Sequence, residues 1–257
     1  MSNKTINTEQ GHWILAKMGK KVLRPGGKVL TQRLIEDLKI TDQDAVVEFA
    51  PGIGYTASFI LKKKPKSYTG IELNEEAALK LKQKINGKNQ TIVNTSAAHS
   101  GLEDAVADKV IGEAMLTMQA EHRKSEIIKE AYRILKKGGL YGIHELGLVP
   151  NELDPDIKAT IQRRLAQVIK VNARPLTQDE WCTLLRNEGF KIKEMYASPM
   201  HLLKPKRMLD DEGLFRTLNI GFNILTHPEA KNRILKMRAV FKEYEPQMTA
   251  FGIIAEK

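Results

Sequence analysis

Glu48, Ala50, Pro51, Gly52 and Gly54 are the residues whose types and spacing best suit chemistry, because together they can turn a strand into a ligand-binding loop. Residues 45–47, Ala-Val-Val, are an apolar β-branched run fit for a buried parallel strand. The chain then breaks on Pro51, Gly52 and Gly54, and residues 56–61 can restart as a helix. Glycine at such a turn lets the backbone approach a ligand that a Cβ would hold away. Eighteen residues after Gly54, a second strand at 68–72 ends in Glu72 and is followed by Leu73. A carboxylate on that strand tip can accept both hydroxyls of a ribose. Loop and acid together make a site for an adenosine-like cofactor.

Two cofactors fit that description. Read as G-x-G-x-x-A, Gly52, Gly54 and Ala57 match a dinucleotide fingerprint, which implies NAD and hydride transfer by an oxidoreductase. Read one register earlier, the run resembles the E/D-x-G-x-G-x-G of class I S-adenosylmethionine (SAM) methyltransferases. Glu48 stands at the acidic position, Ala50 replaces the first glycine, and Gly52 and Gly54 keep the other two.

The elements around the loop favour the second reading. Asn74 can cap a helix with Glu75 and Glu76 in its first turn and Lys80, Lys82 and Lys84 later, an order that complements the helix dipole. Strands follow near 91–93 and at 109–112, then a helix from about 125 to 136 and a strand at 140–146. Arg133-Ile134-Leu135-Lys136-Lys137-Gly138-Gly139 resembles the R-x-L-K-P-G-G turn before the fifth strand of the same methyltransferases, with Lys137 in place of proline. A capping box at Thr177-Gln178-Asp179-Glu180 starts a helix through Trp181 that stops at Gly189, and strands follow at 190–197 and 249–255. The resemblance covers residues 28–200 and 247–257 and is nearest to the small-molecule branch with the ubiquinone and menaquinone methyltransferases. The fold expected is α/β, a doubly wound and mostly parallel seven-stranded sheet of Rossmann-like type. Residues 1–40 form an N-terminal helical arm, 41–200 with 247–257 the SAM-binding core, and 150–175 with 200–246 helical cap insertions, in a single domain.

The resemblance implies SAM as cofactor, held by Glu48, Ala50, Pro51, Gly52, Gly54, Glu72 and Leu73, with Ser96 and Ala97 at the adenine and Glu113 beside them. It places Met115, Gln119 and His144 near the substrate. His144 and Glu145, at the carboxyl end of the fifth strand, are the candidate catalytic residues. The arm, with Trp13, Ile14 and Met18 and then Leu23-Arg24-Pro25-Gly26-Gly27-Lys28, is expected to pack over the cofactor cleft, its Pro-Gly-Gly turn bordering the methionine end of SAM.

Composition limits the alternatives. A chain of 257 residues, 42% apolar and 28% charged, suits one globular domain with a sizeable core. No apolar run is long enough to span a membrane, and Asn3, Lys4, Asn7 and Glu9 interrupt any signal-like N-terminus, so a cytoplasmic protein is expected. The single cysteine, Cys182, excludes an internal disulfide, and no Cys/His cluster suggests a metal. The net charge of +10 raises a nucleic-acid partner, but Lys62-Lys63-Lys64 reads as a solvated helix end with no interleaved aromatics. The strand-four tip, Gly112-Glu113-Ala114-Met115, also lacks the N/D-P-P-Y of base methyltransferases. The expected substrate is therefore a small molecule under an apolar, methionine-rich cap. Arg163, Arg164, Arg174, Lys204, Lys206 and Arg207 in or beside the insertions hint at an anionic group on it. RNA methylation and a non-catalytic SAM-binding module are the alternatives.

Overall fold

A computed structural model describes residues 10–257; the polar start containing Asn3, Lys4, Asn7 and Glu9 lies outside them. The described chain runs α1 (Gly11–Lys17), α2 (Gly27–Asp37), β1 (Ala45–Phe49), α3 (Tyr55–Lys62), β2 (Ser67–Ile71), α4 (Glu75–Lys84), β3 (Gln90–Val93) and β4 (Ala107–Glu113). It continues with α5 (Glu121–Ile134), β5 (Leu135–Leu148), α6 (Pro155–Ile169), β6 (Leu176–Thr177), α7 (Gln178–Asn187) and β7 (Lys191–Pro199). The last elements are α8 (Pro205–Glu212), α9 (Leu214–Thr226), α10 (Pro228–Glu243) and β8 (Met248–Glu256).

The sheet order is β3-β2-β1-β4-β5-β8-β7, with β6 attached to β5. Pairs among β1 to β5 are parallel, and β8 runs antiparallel between β5 and β7. The expected mixed, mostly parallel sheet is present, with the two-residue β6 as an eighth strand. Two apolar layers cover it. Ile127, Ile128, Ala131 and Trp181 from α5 and α7 pack on one face, and Leu30, Leu34, Ala57 and Leu81 from α2, α3 and α4 on the other. Strand order reverses between β1 and β4, so a crevice opens outside their carboxyl ends, where open α/β sheets bind ligands.

Several local rules read from sequence are realised. Asn74 accepts the N–H of Ala77 at 2.9 Å to start α4. Thr177 and Glu180 form the reciprocal capping box of α7. Lys62, Lys63 and Lys64 are exposed at the end of α3, and Cys182 is buried. Other boundaries move. The expected 125–136 helix is α5, which ends at Ile134, because Leu135 is already extended (φ −72°, ψ 139°) and pairs with Ala107. Within the 200–246 insertion, Gly213 divides the apolar stripe between α8 and α9. Its outer row, including Leu214, Leu218, Phe222 and Phe215 (85% exposed), faces solvent, while Ile220 and its neighbours pack on α1.

Candidate functional site

A cavity of about 570 Å³ lies in the crevice. Its floor is the β1–α3 loop (Ala50, Pro51, Gly52, Ile53) and the ends of β2 and β4, with Glu72, Leu73, Ser96, Ala97, Glu113 and Met115 on the walls. Its roof has two sources: His12, Trp13, Leu23 and Arg24 from the arm, and Leu165, Ile169, Met200, Met237 and Phe241 from the insertions. Arm and cap share one apolar cluster in which Ile14, Leu15 and Met18 meet Ile220, Ile234 and Met237. Burial of such side chains contributes roughly 1.5–3 kcal/mol each, so the two roof pieces stay joined.

The floor follows from backbone geometry. Ala50 (φ 51°), Gly52 (φ 59°) and Gly54 (φ 79°) all turn left-handed, so the chain leaves β1 and re-enters α3 in a tight loop. Ala50 bears strain there that glycine would not. A Cβ built on Gly52 would meet nothing nearer than Ala50 O at 3.9 Å, so the space in front of this loop is open. Glu72 is 6% exposed and holds the loop from the next strand tip. Its Oε2 accepts the Gly52 N–H at 2.9 Å and its Oε1 the Asn74 N–H at 2.9 Å, leaving each oxygen capacity for a ribose hydroxyl. Burial raises the Glu72 carboxyl above its usual range, against the backbone N–H donors that lower it. An open glycine cradle, a buried carboxylate on the cavity wall and a cavity of this size fit an adenosyl cofactor.

The remaining expected residues divide. Glu113 lines the cavity, but both its oxygens already have protein donors. Thr31 Oγ1 donates to Oε1 at 2.7 Å, His144 Nδ1 lies 2.7 Å from the same oxygen, and Arg24 Nη1 donates to Oε2 at 2.8 Å beside the Thr56 hydroxyl. Burial would raise Glu113, yet the Arg24 charge and the His144 contact bring it down to about 2. Its carboxylate is therefore an anchor for the arm and not a free cofactor ligand.

His144 is fully buried and bonded at both nitrogens, to Glu113 and to the Pro25 carbonyl. Glu145, equally buried, accepts the N–H groups of Met115 (2.9 Å), Leu116 (2.8 Å) and Thr117 (3.0 Å) and the Thr117 hydroxyl (2.7 Å). Neither is among the residues that line the cavity. Alternation along β5 sends them to opposite faces of the sheet: one secures the arm, the other the turn that carries Met115 and Gln119 to the cavity wall. Glu48 also stays away from the cavity. It bonds the Tyr68 hydroxyl at 2.7 Å, and burial pushes its carboxyl up to about 8. Gly54 sits behind the loop as the cap of α3. Arg163, Arg164, Arg174, Lys204, Lys206 and Arg207 do not line the cavity; Arg164 pairs with Glu243 and Lys204 with Glu245. The arginines that do are Arg24 and Arg123.

Sequence reasoning missed Thr31, Thr56 and His12, and placed Arg24 in the arm without giving it a role of its own. Each is separated in sequence from the strand tip it serves, and only the proximity of Arg24 to the Pro-Gly-Gly turn and of Thr56 to the glycine loop gave a signal. His12 lines the cavity, and burial lowers its imidazole to about 4.

Comparison with known proteins agrees with this geometry. Residues 47–143 match the family described as "Methyltransferase domain". The chain is 34% identical over 253 residues to an uncharacterised protein of Haemophilus influenzae, covering 97% of this chain and 98% of that one. It is 26% identical over 118 residues to ribosomal RNA small subunit methyltransferase A of Hydrogenobaculum, covering 44% of this chain and 46% of that one. Among solved structures, phosphoethanolamine N-methyltransferase 2 of Haemonchus contortus, in complex with S-adenosyl-L-methionine, superposes with a TM-score of 0.74 at 16% identity, over 99% of this chain and 58% of that one. The cyclopropane synthase MmaA2 of Mycobacterium tuberculosis superposes with a TM-score of 0.68 at 12% identity, over 89% and 83%. The chain belongs with its Haemophilus influenzae relative in one family, and its residues 47–143 match a methyltransferase domain.

Proposed function

We propose that the protein transfers a methyl group from SAM to a small organic molecule held beneath the arm and the cap helices. The observation that carries this reading is the continuity of one cavity from Glu72 and the glycine loop to the apolar roof of Leu165, Ile169, Met200, Met237 and Phe241. SAM supplies a methyl group on a sulfonium, a carbon already activated for displacement. The chain's own part is alignment and exclusion of water, which need no strong base unless the nucleophile carries a proton. In this reading Glu72 and the 50–52 backbone fix the cofactor, and Met115, Met118 and Gln119, which line the same cavity, face the substrate. Methionines there suit an adaptable apolar surface. The nearer resemblance to ubiquinone and menaquinone methyltransferases rests on the sequence motifs.

The partial likeness to a ribosomal RNA methyltransferase is the ground for a second reading, RNA as substrate. A base in a polymer must be turned out into the active site with its backbone outside, and the roof over this cavity leaves a small molecule the better fit. Incubating the full chain with methyl-labelled SAM and separated metabolite, protein and RNA fractions tests the choice. Label in a metabolite supports the proposal, and label confined to RNA or protein would reject it.

A further inference from the structure

Arg24 is 8% exposed, lines the cavity, and lies with its guanidinium carbon 5.1 Å from the centroid of the Tyr55 ring. Its hydrogen bonds all use one nitrogen. Nη1 donates to Glu113 Oε2 at 2.8 Å and to the Thr56 hydroxyl. Among the described residues, Nε is buried with no acceptor, and Nη2 has no hydrogen-bond partner. Nε and Nη2 form the edge of a guanidinium that holds a carboxylate by two parallel bonds. A buried donor without an acceptor is destabilising, and the arrangement around Arg24 does not relieve it. Instead, Glu113 is locked by Thr31, His144, Thr56 and Arg24 itself, so the guanidinium is fixed and charged while its two-donor edge has no protein acceptor.

The place of this edge identifies its ligand. Thr56 is in the first turn of α3, directly after the glycine loop, and Glu113 ends β4, the neighbour of β1. Arg24 is thus bonded to the elements on either side of the loop, whereas the ribose-facing Glu72 stands on β2, the neighbour of β1 on its other flank. A cofactor with its ribose at Glu72 and its chain across Gly52 presents its amino-acid end to Arg24.

We infer that the unpaired edge of Arg24 is a carboxylate subsite that takes the α-carboxylate of SAM, so that the arm is part of the cofactor site and not only its cover. This rests on the SAM reading above. The Arg24–Glu113–His144–Pro25 chain then joins cofactor binding to the seating of the arm, since His144 bonds the Pro25 carbonyl next to Arg24.

Calorimetric titration of the full chain with SAM and with decarboxylated SAM tests the subsite. The wild type should bind SAM at least about tenfold more tightly, the scale of one charge-assisted pair. Arg24→Lys, which keeps the charge but not the fork, should lose most of that preference, and Arg24→Gln all of it; thermal melts of both variants check that they fold. Equal affinity of the wild type for the two sulfonium compounds would overturn the inference. So would a preference that survives in Arg24→Gln, because another group would then hold the carboxylate. Binding of neither compound by the wild type would instead sink the SAM reading, and the subsite with it.

Discussion

Glu72 Oε2 accepts the N–H of Gly52 at 2.9 Å, so the acid proposed to hold the ribose also shapes the glycine loop proposed to carry the rest of the cofactor. The two residues are twenty apart in sequence and adjacent only because β1 and β2 pair in register, Phe49 opposite Ile71. One carboxylate thereby serves two purposes, and its loss affects both.

Glu72→Ala should weaken SAM binding by about 1–3 kcal/mol, roughly five- to 150-fold, from lost hydrogen bonds to a charged group. Glu72→Gln retains an acceptor for Gly52 and should lose less. Calorimetry on both variants measures this, and unchanged affinity in Glu72→Ala would remove the ribose from this site.

Glu145 and His144 are expected to act on stability more than on chemistry. Glu145→Ala leaves three N–H groups and one hydroxyl without their acceptor, at about 1–3 kcal/mol for each that finds no substitute. A net loss of about 3 kcal/mol would lower Tm by roughly 6–12 °C for a chain of this size. His144→Gln should also lower Tm. An unaltered melt together with abolished turnover would return either residue to a catalytic role.

Glu48 links stability to pH. Its folded-state value, about 8, lies above the ordinary 4.5, because burial opposes its charge despite the Tyr68 hydrogen bond. Its contribution to the folded state is therefore intact below about pH 4.5 and is lost as pH rises towards about 8. Glu48→Gln, neutral throughout, should melt above the wild type by a margin that widens between pH 5 and 8 and closes near pH 4.5. A margin independent of pH would show that Glu48 is ionised in the folded protein.

The core of the fold was legible because its signals are local. The β-branched run at 45–47, the Asn74 cap and the Thr177–Glu180 capping box each specify their element over a few residues. Glu72, Gly52, Ser96 and Ala97 could be placed together because strand tips in a doubly wound sheet share one edge. What periodicity does not give is direction. It marks a stripe on α9 without saying that Phe215 and Phe222 face solvent, and it puts His144 and Glu145 at a strand end without saying that the Pro25 turn and Glu113 take up the one and the 115–117 turn the other. The role of Arg24 was not legible because its partners, Thr56 and Glu113, are 32 and 89 residues away.

The most direct test of the account is the cofactor affinity of the intact protein. Calorimetry should show SAM and its demethylated product binding at one site per chain, with no heat from NAD. Tight binding of NAD without binding of SAM would contradict the account and assign the same glycine loop to hydride transfer.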